Sequence, residues 1–497
     1  MQFKMKFLKP TIYTLGLLSM VFLTSCSSFL EETSQDELIP SSLEDLQSTM
    51  YAEAYPYNFS SDMFLNLLTD ELVCQGLNND YYVTQYSNGT AMFQFDKAMF
   101  DGDYAIPSDA NSWKNYYEKI MGCNVVLDYL PFVSGSESEK NAVKGQAQFL
   151  RGFYYLRLAM IYCQLYNAEG VNPEQALGVP LVLTMDVTDD FPVRASLKDT
   201  YAQIESDLTE SIALLRDNYD APSAHRVSYL AAEAMLSRMY LYMGRDEDWQ
   251  KVVDYSTDVL AEKPTLTYLS SFSAAFHNKG IYDLDVSEEP IWVYGVATTA
   301  NNDYLPTQLQ WGSVPPYTVS SELSTLYDAN DLRLSSYFYS VNYNGVDYNL
   351  RPNKIGMYQS NYGDWGIRNA EVYLNRAEAY ARLYKAGGSS DNLANALADL
   401  NYLRQTRYAT GTYEDVDMND ADALLAFCLE ERRRELCLEN SLRWFDIKRL
   451  SLSVTHTYMD AAGVSSDYTL DSGDPLYALP IPYDAINRNY KLEQNPR

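Results

Sequence analysis

The 497-residue chain lacks most of what enzymes and nucleic-acid-binding proteins display in sequence. Cationic side chains are scarce: 37 Lys and Arg stand against 67 Asp and Glu, for a formal net charge of −30. Affinity for DNA or RNA rests on Lys and Arg neutralising phosphates, so nucleic acid is excluded as a partner and a densely anionic polymer is disfavoured. Histidine occurs three times, as His225, His277 and His456, with no metal-type spacing, and no metal or other cofactor is expected. There is no GxSxG, HExxH, Walker or GxGxxG pattern. The acidic residues are too many for sequence to nominate a pair for glycoside hydrolysis, so nothing marks the chain as an enzyme. Beyond Cys26 the only cysteines are Cys74, Cys123, Cys163, Cys428 and Cys437. An odd number without CxxC spacing reads as buried thiols, not as disulfides or a zinc site. Long apolar runs are missing after the first 25 residues, so the mature chain is expected to have no transmembrane helix.

What is present starts at the N-terminus. Lys4, Lys6 and Lys9 precede a largely apolar run from Thr11 to Leu23. That run is about 13 residues long where a membrane span needs about 20, so residues 1–25 read as a secretory signal. Leu23-Thr24-Ser25-Cys26 resembles a bacterial lipobox, with Cys26 as the lipidated first residue of the mature protein. One acyl chain holds only marginally, and stable anchoring needs several. Residues 26–40 (CSSFLEETSQDELIP) read as a polar tether, and Glu31 and Glu32 resemble the surface-export signal of Bacteroidetes lipoproteins.

The 46% hydrophobic content supports a real core, and the 44 tyrosines supply flat surfaces with a hydroxyl handle. Helical periodicity predicts helices over 43–55 and 60–72, then a pair at 113–130 and 137–166 broken by Pro131 and Gly135. A second pair is predicted at 201–215 and 223–242 with 249–260 behind it, and a third at 369–384 and 391–407, joined at Gly387-Gly388. Small alanines alternating with Tyr and Leu across a turn make these units similar to tetratricopeptide pairs, which must stack to bury their apolar faces. Two stretches break the pattern. Residues 74–112 read as one long loop, and 263–367 as a region rich in Pro, Gly, Asn and Tyr, with a strand at 289–296, an aromatic loop at 300–317 and a helix at 320–328. The tail from Ser451 reads as irregular.

The densest block is EERRRELCLENSLRWFDIKRL, Glu430 to Leu450. As a helix it places Glu430 and Glu431 four and three residues before Arg434, spacings at which side chains meet on one face. A helix laced by its own ion pairs and anchored by Trp444 and Phe445 is the favoured reading, over an anion site made of Arg432, Arg433, Arg434 and Arg443. The run Asp415, Asp417, Asn419, Asp420, Asp422 hints at a calcium loop, but it lacks the turn glycine and the closing glutamate, and N-capping of a helix at 423–438 is favoured.

Several spaced motifs carry a family resemblance. RGFYYLRLAMIYCQLY followed by GVPLVLT, then EVYLNRAEAYARL, ERRRELCLENSLRWFDIKRL, and LPIPYDAINRNYKLEQNP at the extreme end resemble, in order and spacing, the RagB/SusD family of Bacteroidetes outer-membrane lipoproteins. The family more often has glycine where Asn440 stands here, and Arg497 follows the last proline in place of a glycine. The resemblance implies a mainly α fold of stacked tetratricopeptide-like helix pairs with a loop-rich, short-strand ligand-binding portion. It would form one domain over 41–497, with helical parts at 41–262 and 368–497 around the loop-rich 263–367. It further implies a non-catalytic protein, anchored by lipid at the cell surface, that captures glycan for a SusC-like TonB-dependent transporter. Peptide capture by the same architecture is the alternative, with a glycosidase or a protein-interaction adaptor further behind. The family's ligand contacts lie in loops matching the two irregular aromatic stretches. Here these supply Asn79, Tyr81, Tyr82 and Tyr86 from the first, and Tyr304, Gln308, Gln310, Trp311 and Tyr317 from the second. Aromatic rings stacking on sugar faces, with amides taking hydroxyls, is the chemistry those residue types permit.

Overall fold

The computed structural model describes residues 40–57, 61–101, 110–187, 190–271, 280–295, 312–352 and 365–497. The signal and lipidation calls, Cys26 included, lie outside these residues. Helix α1 (Leu43–Thr49) is closed by a capping box of Ser42 and Asp45 and runs into a π-helical turn, Met50–Ala54. The helix expected over 60–72 is only a 3₁₀ segment, Met63–Leu68, with all six residues buried. Strand β1 (Leu72–Cys74) follows. The expected loop from 74 to 112 instead contains helix α2, Val83–Phe93. Its sequence VTQYSNGTAMF is poor in helix formers, and it is held by burial of Tyr86, Met92 and Phe93.

The helical array then begins. Helix α3 (Ser112–Tyr129) packs against α4 (Glu137–Tyr162), α4 against α5 (Leu197–Asn218), α5 against α6 (Tyr229–Met243), and α6 against α7 (Trp249–Glu262). Ser136, Ser196 and Ser228 cap α4, α5 and α6, each side-chain oxygen accepting from a first-turn N–H. Helix α4 is the axis of this half: from Gln146 to Tyr162 every residue is buried. Strand β2 (Pro290–Tyr294) crosses it, and Trp292 stands edge-on to Phe149 and Phe153 at 4.9 and 5.1 Å. Strand β3 (Tyr317–Val319) leads into the short helices α8 (Ser321–Ser324) and α9 (Arg333–Tyr337), so the helix expected over 320–328 is a single turn. The hairpin β4–β5 (Phe338–Tyr343, Val346–Pro352) follows, then β6 (Trp365–Arg368), antiparallel to β2.

The array resumes with α10 (Asn369–Lys385), which packs against α7, α11 (Ser390–Arg407) and α12 (Ala421–Leu436). Asp420 caps α12 by accepting from Ala423 N–H at 2.8 Å, which gives the acidic run before it the N-capping role. Helix α13 (Leu442–Arg449) is followed by a second hairpin, β7 (Val454–Met459) and β8 (Ser465–Leu470), where the tail was expected to be irregular. The chain closes with α14 (Tyr483–Arg488). Residues Ser42–Arg497 form one compact unit, mainly helical, with its strands confined to two-stranded pairs among the described residues.

In the Glu430–Leu450 block Arg434 pairs with Glu430 and Glu431 as the spacing predicts, and most of the block is buried. Glu431, Arg432, Glu435, Glu439 and Asp446 are buried; Arg432 and Asp446 pair with each other inside the block, while Glu431, Glu435 and Glu439 also draw partners from distant elements. Glu435 meets Arg368, Arg407 and Arg333; Glu431 meets Arg333 and Arg404; Glu439 meets Arg368; and Glu289, at the start of β2, meets Arg368 and Arg407. Burial alone pushes the Glu435 carboxyl up, but three surrounding guanidiniums hold it well below the usual carboxylate range. Arg432 is held by Asp446 and Asn375, Arg434 by Glu431 and the Leu326 carbonyl, and Arg433 and Arg443 by Asp70. All four are engaged internally, which leaves no guanidinium of this block for an external anion. The turn after α12 puts Leu438, Asn440 and Ser441 at positive φ. Asn440 at φ 49° occupies the place where the family favours glycine, and its side chain accepts from Gly366 N–H at 3.0 Å and donates to Tyr282 Oη at 2.9 Å. Gly366 has no such latitude: a Cβ there would lie 1.8 Å from the Trp292 carbonyl oxygen.

Candidate functional site

The two irregular stretches meet through strand pairing. β1 and β3 are antiparallel, with Leu72 opposite Val319 and Cys74 opposite Tyr317, and the pairing continues as Gln75 N–H donates to the Pro316 carbonyl at 2.7 Å. Beyond the pair the chain turns through a 3₁₀ segment, Asp80–Tyr82, capped by Asn79, whose Oδ1 accepts from Tyr81 N–H at 2.8 Å. The Asn79 amide donates to Ser313 Oγ at 3.2 Å. Tyr343, at the tip of the β4–β5 hairpin, donates its hydroxyl to the carbonyl of Gly312. Consecutive residues of the second stretch are thus gripped from two elements, the first loop at Ser313 and the hairpin at Gly312.

Within this arrangement the expected contact residues separate into two groups. Tyr81 is 57% exposed and Asn79 half-buried, so both present surface. Tyr82, Tyr86 and Tyr317 are enclosed. The Tyr82 hydroxyl reaches the Ser313 carbonyl at 3.4 Å, and Tyr82 stands edge-on beneath Tyr81 at 5.1 Å. Tyr317 is fully buried, donates to the Tyr86 carbonyl at 3.1 Å and lies so close to α2 that a Cβ on Gly89 would fall 2.5 Å from its ring. Tyr86 donates to the Met459 carbonyl at 2.9 Å and stacks on Tyr458 at 5.6 Å. Burial, then the hydroxyl of Tyr458, pushes the Tyr86 phenol up, so it acts as a hydrogen-bonding group only. These three tyrosines support the surface and do not form it. Tyr304, Gln308, Gln310 and Trp311 lie outside the described residues.

The reading of the sequence missed the β7–β8 hairpin, which braces α2 from below. His456 sits between Phe93 and Phe95, at 4.1 and 4.5 Å, with its ring nitrogens 2.8 and 2.9 Å from the carbonyl oxygens of Phe93 and Thr69. Phe95 takes φ 54° beside it. Burial pushes protonation of His456 down. The signal was available: Val454, His456 and Tyr458 alternate with exposed threonines at period 2, as a half-buried strand requires. Trp113, Trp249, Trp292, Trp365 and Trp444 are all core residues. The five described cysteines are free and buried. No described helix is long and apolar enough to cross a membrane, and no described His, Cys, Asp and Glu side chains cluster as metal ligands.

Comparison with known proteins agrees with this architecture over most of the chain. Residues 28–241 match a family described as starch-binding and associating with the outer membrane, in its SusD-like form, and residues 318–497 match the SusD family itself. The chain belongs to the SusD family. SusD-like protein P2 of Formosa agariphila is 24% identical over 432 residues, spanning 77% of this chain and 79% of the relative. Among solved structures, a SusD-like carbohydrate-binding protein from Bacteroides vulgatus superposes with a TM-score of 0.68 at 21% identity, over 91% of this chain and 98% of the other. A SusD-superfamily protein from Bacteroides thetaiotaomicron gives 0.70 at 22% identity, over 92% and 100%. At such identities the likeness speaks for the SusD fold, and the helix array, strand pairs and buried ion network are this member's version of it.

Proposed function

We propose that this SusD-family chain is a non-catalytic surface lipoprotein, anchored through Cys26, that captures oligo- or polysaccharide and passes it to a SusC-like TonB-dependent transporter. The observation that carries this reading is the pair of family matches, 28–241 and 318–497, the first of which contains Asn79 and Tyr81, at the surface beside Ser313. Its kinship with a starch-binding family and with a carbohydrate-binding protein of the same fold points the same way. In this reading Tyr81 stacks on a sugar face, Asn79 takes hydroxyls, and Tyr304, Gln308, Gln310 and Trp311 add contacts from the second stretch. Tyr82, Tyr86 and Tyr317 hold that surface in place.

The anchor and the partner have their own test. Cells labelled with a radioactive fatty acid should incorporate label into the wild-type chain and not into Cys26→Ala, and the wild-type chain should co-purify from membranes with an outer-membrane transporter. Label retained in Cys26→Ala would refute lipidation at that residue, and purification without any transporter would favour a free-standing binding protein.

A further inference from the structure

Arginine in this protein is almost always matched to a carboxylate, as Arg151 is to Asp207, Arg157 to Asp62 and Arg238 to Glu371. Arg226 is not. It lies in the loop between α5 and α6, half-buried, and among the described residues its guanidinium meets no carboxylate and no hydrogen-bond acceptor. Aromatic faces surround it: its Cζ is 4.0 Å from the ring centroid of Tyr51, 5.3 Å from Tyr55 and 5.6 Å from Tyr57. Tyr55 and Tyr57 are stacked at 5.4 Å, and Tyr51 stands edge-on to Tyr55 at 5.5 Å. The Tyr55 hydroxyl is committed, donating to Gln146 Oε1 and accepting from Val227 N–H. The Tyr57 hydroxyl is buried and has no partner among the described residues.

A guanidinium held among ring faces with no acceptor among the described residues, in a cluster that also carries a buried hydroxyl without one, is a set of donors without an acceptor. A guanidinium presents N–H groups in a fork that matches two oxygens of a planar carboxylate or of a sulfate. Stacking on tyrosine leaves those in-plane donors free, since the ring face takes up only the cation's flat side. We propose that Arg226, framed by Tyr51, Tyr55 and Tyr57, is a binding site for an oxyanion: the carboxylate or sulfate group of an acidic sugar unit. A chain of net charge −30 repels a densely charged polymer, so the occupant is an isolated acidic sugar on an otherwise neutral chain. The position suits this. Gly295 N–H donates to the Pro56 carbonyl and Val293 N–H to that of Ala224, so the end of β2 lies beside this cluster. The site goes beyond the uptake reading and rests on it only in taking the ligand to be a sugar.

The test uses full-length protein in detergent with ¹⁵N-labelled arginine side chains, titrated with sodium glucuronate, glucose 6-sulfate and neutral methyl glucoside. The Arg226 Nε–H resonance should move saturably with one or both anions and not with methyl glucoside. A response to glucuronate alone identifies a carboxylate sugar, and to the sulfate alone a sulfated one. Loss of the resonance in Arg226→Gln assigns it, while Tyr57→Phe, which keeps the ring stack, should weaken the anion by on the order of tenfold. Absence of a saturable shift with either anion, or an equal shift with methyl glucoside, would overturn the proposal. Neutral-polysaccharide binding at the Asn79–Tyr81 face, measured on the same Arg226→Gln protein, should be unchanged, so the uptake reading stands or falls separately.

Discussion

Glu71 is buried at the edge of β1, with one carboxyl oxygen accepting from Leu438 N–H at 2.7 Å and the other without a partner among the described residues. Burial is the largest influence on it and raises its pKa to about 7, Arg443 pulling the other way and Asp70 adding to the rise. The sign follows directly. Between about pH 4.5 and 7 the folded chain holds a proton that the unfolded chain has released, so stability falls as pH rises through that window and stays lower above it. In Glu71→Gln that slope should vanish, so the stability difference between the two proteins should shift by about 3 kcal/mol from acid to neutral pH, read by urea unfolding at several pH values. Parallel pH profiles would show that Glu71 ionises normally. A second residue-scale effect belongs to Gly89. Alanine there would meet the enclosed Tyr317 ring, and a cost of about 1–3 kcal/mol in thermal or urea unfolding is expected, with weaker ligand binding as α2 shifts off β3.

At the scale of elements, α12 joins the second half of the array to the strand pairs through buried charge. Glu435 accepts from Arg368, Arg407 and Arg333, which arrive from β6, α11 and α9. Replacing it by Gln removes the charge that the three guanidiniums share while each keeps another carboxylate, for an expected loss of about 1.5–3 kcal/mol in unfolding free energy. A near-neutral Glu435→Gln would mean that water reaches the cluster. The array helices themselves were readable in sequence, because apolar residues at helical spacing, serine caps and the Gly387-Gly388 break are local signals. The partners of Glu435 were not, since Arg368 lies 67 residues away and no local pattern pairs them. Within Glu430–Leu450 the local pairing of Arg434 with Glu430 and Glu431 was legible, and the distant partners of Glu431, Glu435 and Glu439 were not, for the same reason. Helix α2 was missed because its own propensity is poor and only tertiary burial holds it. Of the site, the residue types were legible. The junction of Asn79 with Ser313, 234 residues apart, and the inward turn of Tyr82, Tyr86 and Tyr317 were set by the β1–β3 pairing, which sequence did not announce.

Over the whole molecule, a rigid helical array and a buried ion network hold a small exposed surface where two irregular stretches meet. Membership of the SusD family is what the proposed capture of sugar rests on. The most direct measurement is calorimetric titration of the full-length protein in detergent with a panel of neutral polysaccharides and a peptide digest, with the bound material then analysed for cleavage products. The account predicts saturable binding to at least one polysaccharide, no products, and affinity lowered roughly tenfold in Tyr81→Ala with unfolding unchanged. Binding of peptides alone, release of shortened sugars, or full affinity in a protein lacking both Asn79 and Tyr81 side chains would contradict it.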